Sequence, residues 1–195
     1  DDTQVLVGFG SVLRIYGLHS GSMLKEFQGH AAPVSSAVFS TDMSRVVSTS
    51  DDGCARIWDT ASASCVHSVV PGAEKGLSAP AAHSATALPG SPSDFVVFTK
   101  SPSAYIISAD GAVRRTFSAT SACSELLAGA VTANGRYILA VSGSSQLHYF
   151  DTETGAAHAI EAAIPGSEIL GMAVHPKLSI AAFFSRDRRI PIWSA

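Results

Sequence analysis

The chain has 195 residues, of which 46% are hydrophobic and 15% charged, and its net charge is −3. This is the composition of a folded, low-charge chain and excludes a disordered one. The acidic balance supplies no basic surface of the kind that phosphate binding rests on, so it gives nucleic-acid contact no support. No apolar run reaches the roughly 18–20 residues of a membrane span. The chain opens on Asp1-Asp2-Thr3 with no signal peptide, and is read as part of something longer.

In chain order, short β-branched and aromatic runs alternate with turn residues. Gln4–Gly10, Val12–Leu18 and Met23–Phe27 read as three strands. A stronger unit runs from Gly29-His30 to Trp58-Asp59, with strands around Pro33–Ser40, Arg45–Ser50 and Ala55–Trp58. Its Asp52-Gly53 pair is a hairpin turn, because glycine accepts the positive φ that tight turns need. Cys65–Val70 follows as an outer strand. The Gly/Ser/Ala/Pro-rich stretch from Pro71 to Ser84 then makes a long connection.

Beyond it, Ser84–Leu88, Asp94–Thr99, Ala104–Ser108 and Val113–Phe117 read as one set of strands. Leu127–Thr132, Tyr137–Val141, Gln146–Phe150 and Ala157–Ile160 form another. Ile169–Val174, Ile180–Phe184 and Ile190–Trp193 form the last. Pro191 falls inside the final strand, where it removes a ladder donor. The expectation is an irregular sheet there or an absent outer strand.

The spacing repeats. Tyr16 and Trp58 stand 42 residues apart, Phe150 and Trp193 43, and Trp58 and Phe150 twice 46. A Gly-His start, a Trp-Asp end and a period of about 40–45 residues make the WD40 pattern. The expected fold is therefore all-β, a WD40 β-propeller of about 4.5 blades from a seven-bladed ring. The units are 1–28 (partial), 29–72, 73–120, 121–164 and 165–195 (partial). Upstream sequence is expected to supply about two more blades, plus a strand that completes the last one.

His30, Ser48 and Asp52 have the residue types of a catalytic triad. In WD40 repeats, however, these positions together with Trp58 form a buried hydrogen-bonded network, with Ser50 as the alternative to Ser48. In the last unit Asp187 and Trp193 stand in the relation of Asp52 and Trp58. In the first and fourth units Gly10 and Ser144 replace the acid. No catalytic, cofactor-binding or metal residue is expected. The inner-strand runs, such as Ala128-Gly129-Ala130-Val131, are small and apolar, so no enzyme is read here.

His19, His67, His83, His148 and His158 are scattered, without metal-ligand spacing, and are expected to be solvated or structural. Cys54, Cys65 and Cys123 are odd in number and match no zinc pattern, so reduced, mostly buried thiols are expected. Arg186, Arg188 and Arg189 form the densest charge cluster. They are either a solvated turn or a partner-contact patch.

Residues outside the repeat skeleton narrow the family. They are Leu13–Gly21 leading into Leu24–His30, Asp94–Phe98, Val113–Ser118, Tyr149–Gly155, and Ile169–Pro176 before Trp193. In this order, and with an anchorless third unit, the chain resembles the C-terminal blades of spliceosomal WD40 proteins of the Smu (suppressor of mec and unc) type. It departs from them at Ser185–Trp193 and in the Ala/Ser-rich Pro71–Ser84.

The resemblance implies a nuclear scaffold of pre-mRNA splicing, acting in spliceosome assembly and activation and binding spliceosomal proteins. A RED-like protein would bind through an N-terminal region absent from this sequence. The competing reading is a generic WD40 adaptor, such as a ubiquitin-ligase substrate receptor or a chromatin-complex subunit.

Overall fold

The computed structural model describes residues 3–73, 79–119, 123–160, 168–178 and 180–194. Among these there are eighteen strands and no helix, in five antiparallel sheets of three, four, four, four and three strands. The first sheet holds β1 (Gln4–Phe9), β2 (Val12–Gly17) and β3 (Met23–Gln28). The second holds β4 (Val34–Phe39), β5 (Arg45–Ser50), β6 (Ala55–Asp59) and β7 (Cys65–Val69). The third is β8 (Ala82–Ala87), β9 (Asp94–Thr99), β10 (Ser103–Ser108) and β11 (Val113–Ser118). The fourth is β12 (Leu126–Val131), β13 (Tyr137–Ser142), β14 (Leu147–Asp151) and β15 (Ala157–Ile160). The fifth holds β16 (Ile169–Val174), β17 (Ile180–Ser185) and β18 (Ile192–Ser194).

Each sheet is a meander in sequence order, so every hydrogen-bonded neighbour is also a chain neighbour. The inner strands β4, β8, β12 and β16 stand side by side, with β1 next to β4. Each inner strand carries a bulge at its second residue, namely Ser35, His83, Leu127 and Leu170. An extra residue at that point bends the strand and raises its twist. The bulge also explains why β8 begins at Ala82, two residues before the strand read from the sequence. Pro191 shortens the final strand: it offers no N–H, and pairing with β17 begins only at Ile192.

The core is divided into four seams, one between each pair of neighbouring sheets. Leu13, Ile15 and Phe27 meet Val46 and Trp58 in the first seam. Val47 and Ile57 meet Phe95, Val97 and Ile107 in the second. Phe98, Ile106 and Phe117 meet Leu126, Ile138 and Phe150 in the third, and Val141 and Leu147 meet Ile169 and Phe183 in the fourth. Successive side chains of a strand point to opposite faces, and the middle sheets are covered on both faces. That is why β9 reads as an unbroken apolar run, Phe95-Val96-Val97-Phe98, serving two seams at once.

Neighbouring sheets are also tied at their outer turns. Lys25 on β3 donates to the Ala61 carbonyl in the β6–β7 turn. Arg115 on β11 donates to the Thr152 and Glu153 carbonyls in the β14–β15 turn, at 2.8 and 2.9 Å. The same two turns are held from within by Asp59, which accepts from the Ser62 amide, and by Asp151, which accepts from the Glu153 and Thr154 amides. Arg45 pairs with Asp59 and Arg136 with Asp151.

Candidate functional site

The structure brings His30, Ser48, Asp52 and Trp58 together in the second sheet. Gly29 lies in the β3–β4 connection with φ +152°, and a Cβ there would stand 3.3 Å from Trp58 Cη2 and 2.9 Å from Arg56 Nη1. Only glycine leaves the indole that room. Gly53 follows Asp52 at φ +79° and closes the tight turn that the sequence indicated.

The proton order in the network follows from its ends. Trp58 Nε1–H can only donate, and it donates to Ser48 Oγ at 2.8 Å. The Ser48 hydroxyl proton is then free for His30 Nε2, at 2.7 Å. That leaves His30 Nδ1–H to donate to Asp52 Oδ2, at 2.8 Å. Asp52 also accepts from the Ala31 amide at 3.0 Å and the Cys54 amide at 2.9 Å. The serine in the chain is Ser48. Ser50, the alternative, instead donates to the Ala32 carbonyl and accepts from the Asp52 amide.

Burial alone would raise the Asp52 carboxyl. The donors from His30, Ala31 and Cys54 outweigh it and hold the group at about 2. Burial pushes His30 below its ordinary value, against the opposing pull of Asp52. A neutral imidazole is what the chain of donors requires. Its two nitrogens are committed and buried, so the trio lacks the open approach a substrate would need.

Asp52→Ala leaves the His30 Nδ1–H and two amides without their acceptor. The expected cost is about 2–3 kcal/mol, read as a lowered urea midpoint, with Asp52→Asn losing less because one acceptor oxygen remains. An unchanged midpoint for the alanine variant counts against the structural role.

The last sheet is built differently at the corresponding places. Phe183 occupies the register of Ser48, and its ring meets Trp193 edge-on at 6.0 Å. Asp187 accepts from the Ser185 hydroxyl and pairs with Arg189 at 3.1 Å. Asp187 and Trp193 are thus joined to different partners, and no serine bridges the indole there. A hydroxyl two places before the turn residue recurs in four sheets, as Ser50 with Asp52, Thr99 with Ser101, Ser142 with Ser144, and Ser185 with Asp187. In the sequence this signal is a Ser/Thr-x-Asp/Ser triplet at each of these four hairpins, a local pattern independent of the Gly-His/Trp-Asp repeat.

Arg186 pairs with Glu168 at 2.9 Å, so two of the three clustered arginines are engaged by neighbouring carboxylates. Arg188 stands exposed at φ +65° in the same turn. Exposed pairs of this kind contribute little to stability.

One expectation needs correction. The thiols are free, but Cys65 is exposed and Cys54 and Cys123 are half-buried, because each sits on an outer strand or in a connection. His148 is fully buried on the Phe150 side of β14, and neither ring nitrogen has a hydrogen-bond partner. His83 stacks on Phe98 at 6.4 Å, and its Nε2 is likewise buried without a partner.

Burial pushes His30, His83 and His148 below the usual histidine value of 6.5. Below that pH the unfolded chain takes up protons that the folded chain refuses, so stability falls as pH falls. Each histidine that stays neutral adds a slope approaching about 1.4 kcal/mol per pH unit. Asp52 adds a further loss as pH drops from 3.8 toward about 2. The denaturation midpoint is expected to be flat above pH 7 and to decline below 6.5, and His148→Leu should flatten part of that decline. An identical pH profile in the variant would refute the assignment to His148.

No group of three or more potential metal-ligating side chains occurs among the described residues. No helix among them is long and apolar enough to cross a membrane.

Successive antiparallel meanders, stacked face to face with one Gly-His/Trp-Asp unit among them, define a WD40 repeat chain forming part of a β-propeller. The family profile described as WD domain, G-beta repeat matches residues 21–59. The chain is also 29% identical over 171 residues to the WD40 repeat-containing protein smu1 of Dictyostelium discoideum. This bears out the Smu-type resemblance read from the residues. The match takes in 88% of this chain and 32% of the relative, so the chain spans about a third of that protein's length. WD40 repeat proteins are a class of protein-interaction scaffolds that is generally non-enzymatic, and this chain carries such a repeat.

Proposed function

We propose that this chain is the propeller portion of a nuclear scaffold of pre-mRNA splicing, which docks spliceosomal proteins during assembly and activation. The observation that carries the reading is the extent of the smu1 likeness. It runs over 171 residues, whereas the generic repeat profile accounts for 21–59 only. Shared repeats alone favour no pathway. Likeness that continues through the degenerate units favours this one. The blade units are 1–28, 29–72, 73–120, 121–164 and 165–195, in a ring of seven. Arg186, Arg188 and Arg189 are the proposed partner contacts, with Arg188 exposed in the turn between them. A RED-like protein binds elsewhere in the same protein.

The test uses the tagged whole protein, purified from nuclear extract and followed by mass spectrometry of what accompanies it. Spliceosomal subunits together with a RED-like protein are expected, and immunodepletion should slow splicing until the protein is restored. Recovery of a ubiquitin-ligase or chromatin complex without splicing proteins would sink the reading.

A further inference from the structure

Leu13, Ala55, Ala104 and Leu147 hold one place on the third strand of successive blades, and the outer strand sets Phe27, Val69, Phe117 and Ile160 opposite them. Each of those outer residues packs in the seam that the next blade closes, with Trp58, Ile107, Phe150 and Trp193 respectively. In two seams the pair is aromatic on aromatic: Phe27 meets Trp58 at 5.7 Å, and Phe117 meets Phe150 at 5.6 Å. In the second seam Val69 is small, and Tyr105 of the next sheet joins the same cluster. The fourth seam has neither device. Ile160 stands where the phenylalanines stand, and Pro191 lies opposite Phe183 as Tyr105 lies opposite Val97.

A cavity of about 280 Å³ opens there, walled by Leu139, Leu147, Tyr149, Ile160, Phe183 and Trp193. An apolar cavity of roughly 150 Å³ already accepts benzene. We propose that this cavity receives an aromatic side chain of a partner protein, carried on a short segment with an acidic residue beside it.

Two observations choose this occupant. The first is shape: the corresponding place in the first and third seams is filled by a phenylalanine ring, and a close-packed seam fits the same ring here. The second is the chemistry of the polar edge. Thr132 and Asn134 line it, and the Asn134 amide oxygen accepts from the Thr132 hydroxyl at 2.8 Å and the Arg136 amide at 3.1 Å. That leaves the Asn134 NH2 group to donate outward. Lys177 is exposed in the turn joining Val174 to Ile180, both of which line the cavity. The His175 ring accepts the Lys177 amide at 3.1 Å and fixes that turn. A carboxylate next to the inserted ring suits both the amide and the ammonium group. The inference rests on the stacked blades and is independent of the splicing role.

The test is a titration of the whole protein with acetyl-Asp-(4-fluorophenylalanine)-Asp amide, followed by fluorine NMR. Saturable binding with a Kd of about 1 mM or below is expected. Ile160→Phe should fill the cavity as Phe27 and Phe117 fill theirs, weakening the peptide about tenfold or more with the melting temperature held or raised. Lys177→Glu should weaken it about threefold or more at low salt, and so should replacing both aspartates of the peptide by lysine. The absence of a saturable shift, as when the protein's own further chain fills the place, overturns the proposal. So does binding that is indifferent to Ile160→Phe or to the charge of the peptide. Should Ile160→Phe misfold, a peptide with benzoylphenylalanine in place of the fluorinated residue decides. Photo-attachment to a wall residue supports the cavity, and attachment elsewhere, or none, refutes it.

Discussion

Trp58→Ala is expected to cost about 4 kcal/mol or more, the upper range for a buried aromatic. The indole is 1% exposed and fills the first seam edge-on against Phe27, at 5.7 Å. It also supplies the only donor that sets the direction of the Ser48–His30–Asp52 chain. Two losses therefore coincide, a cavity between the first two blades and a reshuffled network within the second. Trp58→Phe separates them. It retains most of the packing and removes Nε1–H, so it should lose about 1–2 kcal/mol. Urea denaturation of the two variants gives the partition. Equal losses would mean that the hydrogen bond carries the whole effect and the packing none.

The second large effect lies in the third seam. Gly129→Val places its Cβ within the van der Waals shell of the Phe98 ring, which is 0% exposed and has nowhere to retreat. Overpacking of this kind costs about 1–3 kcal/mol. Phe98→Ala alone leaves a cavity and costs about 3–5 kcal/mol. The double variant should be more stable than the sum of the two losses predicts, with a coupling of about 1 kcal/mol or more, because each change relieves the other. Simple additivity would show that the two residues do not share the seam.

These two sites bracket what was legible in the sequence. Strand positions were readable because alternation and turn residues are local properties. The Gly29-His30 to Trp58-Asp59 unit carries all four members of its network in one short stretch, so the repeat pattern alone located them. Ser48 over Ser50 was decided by place along the strand, since both share the face of Val46. Ser48 lies within reach of Trp58 and His30, whereas Ser50 ends the strand and serves the turn.

Other features depend on which sheet lies opposite, and no local pattern reports that. His148 looked like one more scattered histidine. Its burial comes from the apolar side chains of the third sheet, far away in sequence. Asp187 and Trp193 kept the spacing of Asp52 and Trp58. The bridging hydroxyl is lost because Phe183 holds the register between them. Phe98 and Gly129 are thirty-one residues apart and become complementary only when two blades stack.

The sequence by itself determined the number and order of strands, the period of the repeat and the members of the one complete network, because hydrophobic alternation, turn chemistry and repeat spacing act within a single blade. The tertiary structure alone decided which faces meet, which histidines are stripped of water and which side chains fill each seam. Those outcomes arise where one sheet's side chains fill the space another leaves, and packing is a property of the pair of surfaces.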